Sequence, residues 1–123
     1  MSRVLVVNDE PELLETCKLV LEIDGQEVAT CGSLAELRDI LANFQPEVIV
    51  LDWIMGGHRS DKVLPIIRNA MPDAPVLVIT GSPGIEPEAR RLGAAALLNK
   101  PFDATAFTGE VSRLLAANNH APH

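Results

Sequence analysis

Short apolar runs, each closed by a polar group, punctuate this chain of 123 residues. Val4-Leu-Val-Val7 leads into Asn8-Asp9-Glu10, Val48-Ile-Val-Leu51 into Asp52, Val76-Leu-Val-Ile79 into Thr80, and Ala96-Leu-Leu98 into Asn99-Lys100. Continuous runs bounded by turn residues predict strands buried on both faces, as in a parallel sheet between two helix layers. The intervening segments carry helical spacing. Leu13, Leu14, Cys17, Val20 and Leu21 predict a helix that opens at Pro11 and stops at Asp24-Gly25. A short strand over 27–30 follows. Ser33-Leu-Ala-Glu36 reads as a capping box opening a second helix with the stripe Leu34, Leu37, Leu41 and Phe44, which Pro46 ends. Residues 55–60 read as a loop, and 61–70 as a third helix on Val63, Ile66, Ile67 and Ala70, with Pro65 near its first turn. A short helix over 87–92 capped by Gly93 and a final helix over 104–117 complete the pattern. Five β-then-α units in alternation predict an α/β fold, a doubly wound five-stranded parallel sheet with helices on both faces.

The length suits one domain, placed over residues 1–117 with a flexible tail over 118–123. At 47% hydrophobic residues, the chain can bury a sizeable core. A formal net charge of −7 argues against nonspecific binding to nucleic acid or to an anionic membrane. No basic, then apolar, leader opens the chain and no apolar segment approaches the length of a membrane span, so a cytoplasmic location is expected. Cys17 and Cys31 lack C-x-x-C spacing and are expected to be reduced, half-buried packing residues.

The C-terminal ends of parallel strands lie along one edge, and open α/β sheets bind ligands in the crevice where the strand order reverses. Asp9, Asp52, Thr80 and Lys100 follow four separate strands and should meet there. Each has a plainer reading: Asp9 as a helix cap, Asp52 as a turn former, Thr80 as a loop hydroxyl, Lys100 as a solvated cation. Jointly, carboxylates with one lysine beside Gly-containing loops suit a divalent cation and a phosphoryl group. A small flavodoxin-like enzyme or nucleotide binder would need a Gly-rich loop after the first strand, where Asn8-Asp9-Glu10 is acidic instead.

Taken in order, Val6-Val-Asn-Asp-Glu-Pro11, Asp52-Trp-Ile-Met-Gly-Gly57, Thr80-Gly81, Gly93-Ala94 and Lys100-Pro-Phe102 resemble the receiver domains of two-component response regulators over essentially the whole chain. The resemblance implies a flavodoxin-like sheet in the order 2-1-3-4-5, with Asp52 accepting a phosphoryl group from a sensor histidine kinase or a histidine phosphotransfer protein. It implies Mg²⁺ (or Mn²⁺) held by Asp9, Asp52 and the Ile54 backbone carbonyl, with Asn8 acting through a water. Lys100 and Thr80 would contact phosphoryl oxygens, the Gly81 N–H would complete the cradle, and the Lys100-Pro101 peptide would be cis. Signalling would run through contacts with a downstream protein. The alternative is a degenerate receiver that acts as a phosphorylation-independent interaction module.

The chain also departs from the family's pattern. Asn8 replaces an acidic residue, Gly56 a proline, Ser60 a glycine, and Leu97 the aromatic residue that usually swings with the threonine. The first change predicts weaker metal binding, and the changes at 56 and 60 a more mobile loop. His58 is expected to be a solvated loop histidine and Trp53 a packing residue, while His120 and His123 carry no assigned role.

Overall fold

A computed structural model describes residues 2–119. In chain order its strands are β1 (Arg3–Val7), β2 (Glu27–Cys31), β3 (Val48–Asp52), β4 (Ile54–Met55), β5 (His58–Arg59), β6 (Val76–Thr80) and β7 (Ala96–Asn99). All but β4 and β5 pair in parallel, in the order β2-β1-β3-β6-β7. Numbered among themselves, these five strands have the expected order 2-1-3-4-5. From β1 the chain moves to one side of the sheet, and from β3 to the other. The crevice between their C-terminal ends is therefore the switch point of the fold.

Alternation along each strand divides the core in two. Leu5, Val7, Ile49, Leu51, Val76 and Val78 face one side, where Leu37 and Leu41 of α2 (Leu37–Phe44), Val63, Leu64 and Ile67 of α3 (Val63–Ala70) and Ala89 of α4 (Glu86–Arg91) cover them. Val4, Val6, Val48, Val50, Leu77 and Ile79 face the other. There they meet Cys17 and Leu21 of α1 (Pro11–Ile23) and Phe107, Val111, Leu114 and Leu115 of α5 (Ala104–Asn119). Both faces of the central strands are thus dry, and each fully buried aliphatic side chain contributes roughly 1.5–3 kcal/mol relative to an exposed one.

Several local expectations are corrected. Ser33 is extended (φ −150°, ψ 154°) and makes no side-chain cap, because the chain enters α2 through a 3-10 turn at Leu34–Glu36. Leu34, expected in the buried stripe, is 44% exposed on that turn. Helix α3 starts at Val63, two residues later than expected, and its buried set is Val63, Leu64 and Ile67, leaving Ile66 half exposed. The loop after Asp52 contains an antiparallel hairpin of β4 with β5. Gly56 and Gly57 have φ of +57° and +78°, the left-handed conformation that a tight two-residue hairpin turn demands. Cys17 and Cys31 are fully rather than half buried, and both are free thiols. Helix α5 continues to Asn119, and Asn118 Nδ2 donates to the Glu47 carbonyl at 3.4 Å, so these residues extend the helix instead of starting the tail. His120 and His123 lie outside the described residues.

Candidate functional site

The Asp52 carboxylate stands at the C-terminal end of β3, in the switch crevice, and is only 2% exposed. A buried carboxylate is costly unless its oxygens are satisfied. Here the Ile54 N–H donates to Oδ1 at 3.1 Å, while Lys100 Nζ and Asn8 Nδ2 donate to Oδ2 at 2.7 and 2.9 Å. Lys100 follows β7, its own N–H donates to the Thr80 carbonyl at 2.8 Å, and the Lys100-Pro101 peptide is cis. Its side chain keeps 31% of its surface exposed, so the ammonium bridges the buried carboxylate and open solvent.

The other expected residues sit differently. Asp9 does not cap α1, whose N-cap is Glu10; its Oδ2 instead accepts the Gly56 N–H at 2.7 Å, tying the end of β1 to the hairpin turn. Thr80 is buried, but its hydroxyl is turned into its own loop, accepting the Ser82 N–H at 2.9 Å. Gly81 lies beside Lys100: a Cβ there would sit 3.9 Å from Lys100 Cβ, an ordinary contact. Ile54 contributes its N–H to Asp52, and its side chain is 40% exposed. His58 is exposed and Trp53 buried, as expected.

Ser60, expected only to loosen the loop, and Arg59, to which the sequence pattern gave no role, hold this site together; at position 60 the structure shows a buried, hydrogen-bonded anchor instead. Ser60 is fully buried; its Oγ donates to the Asp52 carbonyl at 2.7 Å and its N–H to the Trp53 carbonyl at 2.7 Å, while its own carbonyl accepts from Val63 and Leu64 at the start of α3. Arg59 lies over the Trp53 ring, 5.5 Å from its centroid, and pairs with Glu88 of α4, linking the hairpin to that helix. The turn signal Gly56-Gly57 was present in the sequence and could have announced the hairpin that presents both residues.

Among the described residues no group of three or more His, Cys, Asp or Glu side chains is placed to hold a metal. Two carboxylates, Asp9 and Asp52, meet the same hairpin, and Mg²⁺ commonly takes one or two carboxylates with waters and phosphate oxygens. The donor set is therefore compatible with Mg²⁺.

Behind the site, burial pushes the Cys17 thiol up from 9.0 to about 11, against the attraction of Lys100. Burial also raises Cys31, whose thiol donates to the Ser33 carbonyl at 2.9 Å. Both thiols therefore stay protonated at neutral pH and act in packing.

Beyond Thr80 the loop to α4 opens a cavity of about 550 Å³ lined by Gly81, Pro83, Ile85, Leu97, Asn99 and Lys100 among others.

Residues 4–112 match the family model described as the response regulator receiver domain. The C4-dicarboxylate transport transcriptional regulatory protein DctD of Pseudomonas aeruginosa is 31% identical over 93% of this chain and 25% of its own length. The chain spans about a quarter of the length of the DctD, FleR and NtrX relatives that it matches. Among solved structures, the beryllofluoride-activated NtrC4 receiver domain dimer superposes with a TM-score of 0.86 at 31% identity, over 96% of this chain and 99% of that one. A CheY-like receiver domain protein from Methanospirillum hungatei, 21% identical, gives 0.89 over 97% of each chain and supports the fold alone.

Proposed function

The chain belongs to the response regulator receiver domain family of two-component signalling, and we propose that it accepts a phosphoryl group on Asp52 from a phosphohistidine of a sensor histidine kinase or histidine phosphotransfer protein. The observation that carries this reading is the ion pair of a lysine with a buried carboxylate at the switch crevice, Lys100 Nζ 2.7 Å from Asp52 Oδ2. An Asp52 oxygen attacks phosphorus in line; the new O–P bond forms as the P–N bond breaks, and the imidazole nitrogen keeps the electron pair. The product is an acyl phosphate. The protein's share of the work is positioning and charge neutralisation. Lys100, already beside the attacking group, pairs with a phosphoryl oxygen. The Thr80 hydroxyl leaves its Ser82 partner to donate to another, and the Gly81 N–H completes the cradle. Asp9, Asp52 and the Ile54 carbonyl would hold Mg²⁺, with Asn8 at the edge of that set; the cation would supply a further positive charge to the crowded oxygens.

A cytoplasmic site of action goes with this reading, and among the described residues no helix is long and apolar enough to cross a membrane. Output through contacts with a downstream protein is supported by the likeness to DctD, a transcriptional regulatory protein, and to the NtrC4 receiver domain, a dimer when activated. A second reading, an interaction module that is never phosphorylated, is favoured by the Asn8 amide that already engages Asp52. Incubation with phosphoramidate and Mg²⁺ followed by intact mass measurement separates the two. The wild type should gain one phosphoryl group and Asp52→Asn none. An unmodified wild type would support the second reading, and a phosphorylated Asp52→Asn would move the acceptor elsewhere.

A further inference from the structure

Asn8 is 2% exposed and its orientation is set from both ends. Its Oδ1 accepts the Glu10 N–H at 2.8 Å, closing an Asx turn at the end of β1. That leaves Nδ2 to face Asp52, where it donates to Oδ2 at 2.9 Å. The flipped amide would set N–H groups against an N–H and an oxygen against a carboxylate, so only one orientation is tenable. With Lys100 on the same oxygen and the Ile54 N–H on the other, Asp52 has three donors, all supplied by the chain itself.

An aspartate at this position would have nearly the same shape. It could keep the Asx turn through one oxygen, but the other would be an acceptor pressed against an acceptor. Two carboxylates at hydrogen-bond distance cannot both stay ionised without a cation or a shared proton. Asp9 cannot replace the amide, since an ionised carboxylate has no hydrogen to donate and its Oδ2 already accepts from Gly56.

We propose that Asn8 is a positioning residue that stands in for a divalent cation in the resting site: its amide orients the buried Asp52 carboxylate, so the unphosphorylated fold is complete without metal. Mg²⁺ must then compete with an existing hydrogen bond, and its role is confined to the transfer step. The inference rests on the reading of Asp52 as the working carboxylate, but its test needs no phosphoryl donor, so failure of one is distinguishable from failure of the other.

Thermal unfolding of the wild type, Asn8→Asp and the swap Asn8→Asp/Asp52→Asn, each in EDTA and in Mg²⁺, provides that test. The wild-type midpoint should be the same in both buffers to about 1 °C, whereas Asn8→Asp should fall by on the order of 5 °C or more in EDTA and recover most of it in Mg²⁺. The swap, in which amide and carboxylate exchange places, should unfold in EDTA closer to the wild type than to Asn8→Asp. If Asn8→Asp cannot be isolated without metal, a swap that folds in EDTA supports the proposal equally, and a swap that also fails to fold overturns it. An Asn8→Asp midpoint equal to wild type in EDTA would likewise overturn it. So would a swap no better than the single variant, or a wild type that gains as much from Mg²⁺ as Asn8→Asp does.

Discussion

The ends of β3 and β6 lie side by side in the sheet and are finished in opposite ways. At the β3 end, Asp52, Trp53 and Ser60 are all buried, and Asn8, Lys100 and Ile54 donate to the carboxylate of Asp52 and Ser60 to its carbonyl. At the β6 end burial stops at Thr80. Its loop continues through exposed Gly81, Pro83 and Gly84 over an open cavity before the six-residue helix α4 begins. On the proposed reading, the first end is built before a phosphoryl group would arrive, and the second has room to rearrange when one does. Elements that move in signalling are drawn from the least tightly packed parts of a fold. If Asp52 is the acceptor as proposed, the contrast places chemistry at β3 and response in the loop after β6, with the Arg59–Glu88 pair joining hairpin to helix.

Lys100→Ala should break this arrangement most severely. Removing the cation paired with Asp52 should slow phosphorylation by small donors on the order of 100-fold, by analogy with loss of a single charge-stabilising donor. Time-resolved intact mass measurement would show it, and a rate near wild type would mean that Lys100 does not serve the transfer. Next is Ser60→Ala, which leaves the Asp52 carbonyl without its hydroxyl donor in a fully buried setting. Urea unfolding should register a loss of about 1–3 kcal/mol. Ser60→Thr, which keeps a hydroxyl, should lose less. Equal stability of Ser60→Ala and wild type would show that the hydroxyl does not secure the β3 end.

A pH dependence is the mildest consequence. The Cys17 thiol is held at about 11 in the fold against 9.0 ordinarily, so the folded state binds its proton more tightly than the unfolded chain. Its contribution is complete below the ordinary value and is lost as pH rises through the folded one. Unfolding free energy should therefore decline between pH 9.0 and about 11, and Cys17→Ala should flatten that decline relative to its own neutral-pH stability. An unchanged slope would remove the linkage.

Much of this contrast was legible in the sequence because parallel strands advertise themselves. Val4–Val7, Val48–Leu51 and Val76–Ile79 are apolar at every position since both faces are covered, and the polar residues that follow must share one edge. What was hidden depends on contacts between segments apart in the chain. Ser60 looks like an ordinary loop serine until the hairpin brings its hydroxyl to the Asp52 carbonyl, eight residues back. Asn8 was expected to face a metal ion through a water; its direct amide contact with Asp52, a different role, depends on the side-chain orientation set by Glu10. The capping box at Ser33 failed for the opposite reason. The local motif was present, but the chain took a 3-10 entry to bring Leu37 and Leu41, not Leu34, onto the sheet. Asn118 read as tail because its partner, the Glu47 carbonyl, is remote in sequence.

Backbone amide exchange with and without beryllofluoride, in the wild type and in Asp52→Asn, sets the two strand ends against each other in one experiment. In the wild type, exchange should change in residues 81–91, covering the loop after Thr80 and α4, with little change in 48–53. Leu97, which lacks both the bulk and the polar tip of an aromatic switch, should leave the 94–99 segment nearly silent. Asp52→Asn should show none of these changes. A response confined to 94–99, or one that persists without the Asp52 carboxylate, would contradict the division of labour between the ends of β3 and β6.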